Sequence, residues 1–292
     1  MGYPVSFTSV VVIESLEGFE VKTGEITAGF IASQLKDLGY TTPVEYHKCD
    51  SALEFKHMIG ILEKEAASGA RPLIHIESHG DPDEGLEFSN GSVLSWGELA
   101  NLMVSINLAT KFNLIVCLSA CHAANFLGKM GDVDRPCPCR ALIAPHKEMS
   151  PSEAMFAFRE FYSNLLQART FNSSIELIEG LKTEDGFWIA ETAEGWFRFT
   201  SRQFVLNQCS IPEVKKRILG IHKKVKEAGL NPKIGEIKKE FMIHYREVMF
   251  QELFNTFFGL HSVPELRSEF EPLFYELKTW IAEKGKLGLC VH

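Results

Sequence analysis

An α/β fold is what the 292-residue sequence predicts: a mostly parallel sheet with helices on both faces, followed by a C-terminal helical appendage. Three observations carry that prediction. Apolar, β-branched runs alternate with segments of helical periodicity through the first two thirds of the chain. Strands that alternate with helices in this way pair in parallel and are covered on both faces. From about Ile211 onward the helical period continues without further strands.

The elements follow in order. "SFTSVVVIES" is a strand, and "TGEITAGFIASQLKDLGY" is a helix with Ile26, Phe30, Ile31, Leu35 and Leu38 spaced three to four apart. "PVEYHK" and "SALEFKHMIGILEKEAA" repeat the unit. "PLIHIES" leads through a turn-rich excursion to the helix "SWGELANLMVSINLA", and "FNLIVCLSA" leads to "CHAANFLGK", a helix expected to start at Cys121. A fifth strand, "ALIAP", precedes "MSPSEAMFAFREFYSNLLQA". There Ser150 is an N-cap, Pro151 a first helical residue, and Glu153 closes a capping box. "SSIELIEGLK" is a short helix, and "GFWIAETAEGWFRFTS" reads as strand, turn, strand. The tail breaks at Asn231-Pro232, Pro264 and Gly285. Two domains are expected, 1–205 around the sheet and 206–292 as the helical extension.

Composition narrows the function classes. With 45% hydrophobic and 23% charged residues the chain can bury a large core, and its apolar stretches fall far short of the roughly 18–20 residues that span a bilayer. No membrane segment and no signal-peptide pattern is expected, so the location read from the sequence is cytoplasmic. Seven scattered cysteines make a poor disulfide framework and are taken as reduced thiols. Residues 211–292 hold 14 Lys/Arg against 11 Asp/Glu in a chain of net charge −8, which leaves the front strongly acidic. The basic stretch "KKRILGIHKKVK" is interleaved with apolar residues at helical spacing, so it is read as a solvated helix face, and no nucleic-acid partner is expected.

Two strands end in chemistry. "LIHIESHG" (73–80) closes on His79-Gly80, and "LIVCLSACHAANF" (114–126) breaks at Cys121-His122. In an open parallel sheet, ligands and reacting groups collect at the carboxyl ends of the strands. These strands belong to consecutive units and are expected to be neighbours about 4.8 Å apart, so both side chains can reach one crevice. An imidazole that takes a thiol's proton makes it a nucleophile, and a helix start favours the thiolate further. Gly80 lets backbone approach closely, so that its N–H and that of Cys121 can face a developing oxyanion. His122 is the less suitable base, since its side chain points away from its neighbour's on a helix start. His75 and Glu77 share the facing of His79, either to orient the base or simply to line the sheet.

These residues resemble the histidine and cysteine motifs of the caspase-like cysteine peptidases, most closely the bacterial CHAT-type members. The 42 residues from His79 to Cys121 are comparable to the roughly 50 of the caspase pattern. "ALIAPHKEMSPSEAMFAFREFYSNLLQA" resembles the strand and long helix that follow the cysteine in CHAT-type domains, and the resemblance covers about residues 8–205. It implies a caspase-like sheet, Cys121 as nucleophile, His79 as base, and the Gly80 and Cys121 amides as oxyanion hole. It implies as well a cysteine endopeptidase that cleaves a protein substrate within a bacterial signalling or antiviral defence system. No cofactor and no metal are implied.

Around the nucleophile, metacaspases carry Asp-Ser-Cys-His, whose aspartate helps to take a basic P1 residue; here Ser119 stands in that place, so no P1 preference carries over. Acidic residues crowd the expected mouth: Asp81, Asp83, Glu84 and Glu87 after the histidine, Asp132 and Asp134 after the cysteine. Solvated loop carboxylates are the simpler account of them. Two other function classes remain open: a catalytically silent caspase-like scaffold whose helical tail binds a regulatory protein partner, and a metal-dependent hydrolase built on Cys137-Pro138-Cys139 with His146 or His122.

Overall fold

The computed structural model of the chain describes residues 6–130, 135–168, 188–208, 211–243 and 250–286. The segment read as the helix "SSIELIEGLK", together with Asp132, Asp134, Cys209 and Cys290, lies outside the described residues. Two compact units are distinguished, one holding the sheet and running to Ala193, the other running on from Glu194.

The first unit is α/β. Five strands run parallel in the order Val44–Lys48 (β2), Ser9–Ser15 (β1), Pro72–Asp81 (β3), Ile115–Ser119 (β6) and Ala141–Pro145 (β7), and Trp188–Thr192 (β8) closes one edge antiparallel to β7. The turn-rich excursion is a hairpin, Gly85–Glu87 (β4) and Val93–Leu94 (β5), laid antiparallel on the end of β3. The order puts β3 and β6 side by side at the centre, as their place in consecutive units requires.

Helices Thr23–Asp37 (α1) and Pro151–Ala168 (α5) cover one face; Ala52–Ala67 (α2) and Trp96–Ala109 (α3) pack together on the other. Strand alternation decides which residues each pair receives. Val10, Val12, Leu73, Ile115, Cys117, Ala141 and Ile143 form one core with Ile31 and Leu35 of α1 and with Phe158, Phe161 and Tyr162 of α5. Val11, Ile13, Ile74, Ile76, Val116 and Leu118, equally buried, are left for the opposite face. Each fully buried Ile or Phe contributes roughly 1.5–3 kcal/mol. Ser95 and Glu98 form a capping box at the start of α3. Ser150 and Glu153 form the one expected before α5, with Ser150 N–H donating to Glu153 Oε2 at 2.8 Å and Glu153 N–H donating to Ser150 Oγ at 3.3 Å.

Two local expectations need correction. Leu127–Met130 (α4) is a single turn, preceded by a 3-10 turn at Ala123–Phe126 and by His122 in the left-handed region with φ 59°. No helix therefore starts at Cys121. The buried residues Ala123 and Phe126 stand three apart, the 3-10 period, which tightens the chain against the sheet. In the described part of "GFWIAETAEGWFRFTS", Trp188–Thr192 is a strand and Ala193–Gln208 (α6) is a helix in place of the second strand. Alternating aromatics in "WFRF" imitate a strand, but the buried positions Ala193, Phe197 and Val205 fall on a four-residue spacing.

The second unit is helical, with α6 followed by Ile211–Glu227 (α7), Ile234–Ile243 (α8), Phe250–Phe257 (α9) and Arg267–Lys286 (α10). The break at Asn231-Pro232 separates α7 from α8, Pro264 opens a 3-10 turn before α10, and α10 ends one residue past Gly285. Phe197, Phe254, Phe257, Phe258 and Phe270 build its core, with the Phe258 and Phe270 rings stacked at 4.3 Å. Arg198 and Arg202 converge on Glu276 at 2.9 and 3.0 Å. In α7 the lysines are exposed while Val214 and Ile218 are buried, the distribution of a helix with one solvated face. No helix among the described residues is long and apolar enough to cross a membrane.

Candidate active site

Strands β3 and β6 share a parallel register in which His75 stands beside Cys117 and Glu77 beside Ser119. Two residues beyond that register pair lie His79, still within β3, and Cys121, past the end of β6. Here the ladder opens. β3 turns to pair with β4, His79 opposite Glu87 and Gly80 opposite Leu86, while the backbone after β6 breaks away through Cys121 and left-handed His122. Contact across the gap is kept by Gly80. A Cβ at that position would collide with the carbonyl oxygen of Cys121 and stand 3.2 Å from the Ala120 Cβ. The glycine is needed for space, which lets the two strand ends meet backbone to backbone.

His79 is half exposed, and its Nε2 lies 2.9 Å from Glu20 Oε1. Glu20 belongs to the loop between β1 and α1, 59 residues away in sequence. Cys121 is half-buried, and its Sγ is directed at the Met149 carbonyl oxygen, 4.0 Å away, rather than at His79. His122 leans the other way: its N–H donates to the Lys147 carbonyl at 3.3 Å and its Nε2 is 3.9 Å from Glu148 Oε1. Beside the thiol, the run from Lys147 to Ser150 with His122 and Glu153 walls an open cleft of about 750 Å³.

Neither His75 nor Glu77 orients His79. His75 is fully buried, with Nδ1 2.9 Å from the Tyr162 hydroxyl and Nε2 2.9 Å from Glu77 Oε1, and its ring meets Phe158 edge-on. The other Glu77 oxygen accepts the Thr23 hydroxyl at 2.9 Å. In the next strand, Glu14 stands beside Glu77 in register and accepts the Gly24 N–H at 2.7 Å and the Tyr46 hydroxyl at 2.6 Å. Burial and the Glu14 hydrogen bond hold the Tyr46 hydroxyl well above its ordinary pKa. These pairings satisfy polar groups that would otherwise be costly to bury.

Of the acidic residues at the mouth, Asp81 is engaged in the hairpin turn. Its Oδ1 accepts the N–H groups of Asp83 at 2.8 Å and Glu84 at 2.9 Å, which hold its carboxyl below the usual carboxylate range. Asp83, Glu84 and Glu87 are exposed along the same hairpin. Ser119 is buried one step below the thiol, and its hydroxyl has no partner. Cys137 and Cys139 lie in the core, where Cys137 Sγ donates to the Cys139 carbonyl at 3.2 Å and burial pushes the Cys139 thiol far up. Among the described residues no three His, Cys, Asp or Glu side chains are grouped to hold a metal ion.

Glu20, Glu14 and the Met149 carbonyl carry no signal in the sequence that marks them for this site. Glu20 lies in a loop that follows a strand's carboxyl end, the region where site residues collect, but no spacing links it to His79. No protein-family model matches the chain, and no curated protein matches it. The functional reading therefore rests on the site itself.

Proposed function

We propose that the chain is a caspase-like cysteine endopeptidase with Cys121 as nucleophile and His79 as base. The observation that carries this reading is the junction at Gly80, where a missing Cβ lets the His79 strand end abut the Cys121 backbone at the open end of the sheet. A thiol and a half-exposed imidazole on adjoining strand ends are the parts an acyl transfer needs.

In the proposed reaction Cys121 turns from the Met149 carbonyl and passes its proton to His79, and the sulfur attacks the substrate carbonyl. The tetrahedral oxyanion is received by the Gly80 and Cys121 N–H groups. Collapse expels the amine, which takes the proton from the imidazolium, and water then releases the acid from the thioester. Apo sites often hold such groups apart until substrate arrives. The substrate is a protein, seated in the cleft along Lys147–Ser150, with the carboxylates of the β3–β4 hairpin favouring basic segments. The helical unit offers a surface for a regulatory partner. The setting we propose is the cytoplasm, within a bacterial signalling or defence system.

One observation favours a second reading. The Cys121 thiol faces the Met149 carbonyl, and a scaffold that has lost catalysis would have no reason to turn it. Incubating the full chain with a diverse peptide library and identifying products by mass spectrometry separates the two. A peptidase yields products that vanish in Cys121→Ala and His79→Ala; products that persist in Cys121→Ala refute the assignment, and a silent library with an unreactive Cys121 favours the scaffold.

A further inference from the structure

We infer that Glu20 is the positioning residue of the site, a carboxylate that fixes which nitrogen of His79 carries the proton; this inference rests on the Cys121–His79 reading. Glu20 Oε1 lies 2.9 Å from His79 Nε2. An ionised carboxylate only accepts hydrogen bonds, so Nε2 must be the donor and the lone pair is left on Nδ1. The nitrogen free to take a thiol proton is thereby selected before any substrate binds. Once His79 is protonated, the same carboxylate faces the imidazolium and stabilises it.

The carboxylate is itself held. Its second oxygen, Oε2, accepts the Glu17 N–H at 2.6 Å, while the Glu20 N–H donates to the Glu17 carbonyl at 3.0 Å. Lys22 Nζ closes the same loop onto the carbonyls of Leu16, at 2.9 Å, and Glu17. On the other side, His79 is fixed by β3, which pairs with β4 at that residue. The Glu20 side chain is only 23% exposed against 51% for His79. Water therefore competes less for the carboxylate than for the ring, which suits a residue that orients another.

Glu20→Gln keeps both of the carboxylate's contacts only with its amide oxygen on the Glu17 N–H and its NH₂ turned toward His79. Nε2 is then forced to accept, and the proton moves to Nδ1, the nitrogen required as base. Glu20→Gln should thus invert the His79 tautomer, seen in ring ¹⁵N shifts assigned by subtraction of His79→Ala. It should also slow iodoacetamide alkylation of Cys121 near neutral pH by roughly 10–100-fold, a part of the 10²–10⁴ that a general base contributes as a whole. Glu20→Asp keeps a carboxylate and should retain the wild-type tautomer with a smaller loss of rate. It serves as the test if the Gln variant does not fold. Adding Glu20→Gln to His79→Ala should slow alkylation no further than His79→Ala alone.

Wild-type tautomer and rate in Glu20→Gln, or a full additional loss in the double variant, would overturn the role of Glu20 while leaving the dyad intact. If His79→Ala itself leaves Cys121 alkylation unchanged, the dyad and the role of Glu20 fall together.

Discussion

Two histidine–cysteine pairs lie four residues apart, one within β3 and β6 and one at and just beyond their ends, and they differ in burial and in partners. His75 and Cys117 are register partners inside the sheet, both fully buried. Both imidazole nitrogens of His75 are engaged, by Tyr162 and Glu77, and burial pushes the Cys117 thiol up to about 12 despite the Tyr162 hydroxyl beside it. His79 and Cys121 sit one step beyond the end of that ladder, half exposed, with a carboxylate on a single ring nitrogen and a thiol resting on a backbone carbonyl at 4.0 Å. Residue type is the same in both pairs. Position relative to the sheet separates them: the first pair is sealed in the core, and the second, at its open edge, is the one the proposed chemistry would use.

That contrast can be broken by a crossed pair of substitutions. His79→Ala should lower peptide turnover by roughly 10²–10⁴-fold, the usual contribution of a general base, and should change unfolding free energy little, because the ring is half exposed. His75→Ala should do the reverse. It leaves the buried Glu77 Oε1 and the Tyr162 hydroxyl without their imidazole partner, so urea unfolding should register a loss of about 1–3 kcal/mol, the cost of an unsatisfied buried polar group. Equal stability losses in the two variants would remove the distinction drawn between the pairs.

A smaller effect sharpens the picture of the mouth. The Asp81 carboxyl is held below its ordinary range by the N–H groups of Glu84 and Asp83. A depressed folded-state pKa means a stabilising contribution fully present above the unfolded value of about 3.9 and lost as pH falls through the folded value. Asp81→Asn should flatten the acid limb of stability below about pH 4 relative to wild type, with little change near neutrality. An unchanged acid limb would mean that the turn is not held by the ionised carboxylate.

Much of this was legible in the strands themselves. Apolar runs ending in His-Gly and Ala-Cys on consecutive units suffice to put His79 and Cys121 on neighbouring strand ends, because a parallel sheet aligns its carboxyl ends. The cap at Ser150 and Glu153 is equally local, spanning four residues, and readable for that reason. What escaped depends on contacts with no period. Glu20 reaches His79 across 59 residues, and the buried Glu14–Glu77 register pair appears only once β1 and β3 are aligned. The supposed helix after Cys121 failed for a different cause. "CHAANFLGK" contains no proline and carries Ala123, Ala124, Leu127 and Lys129 as helix formers, and the left-handed His122, stitched by its N–H to the Lys147 carbonyl, is what shows that the chain turns before it coils.

The contrast between the two pairs comes down to the relative reactivity of two thiols four residues apart. A limiting dose of iodoacetamide near neutral pH, followed by peptide mapping of all seven cysteines, measures it directly. Cys121 should be labelled first and Cys117 only on unfolding, and His79→Ala should slow the labelling of Cys121 while leaving that of the buried thiols unchanged. Labelling of Cys121 no faster than the other accessible cysteines, or indifferent to the loss of His79, would contradict an activated nucleophile at the end of this sheet.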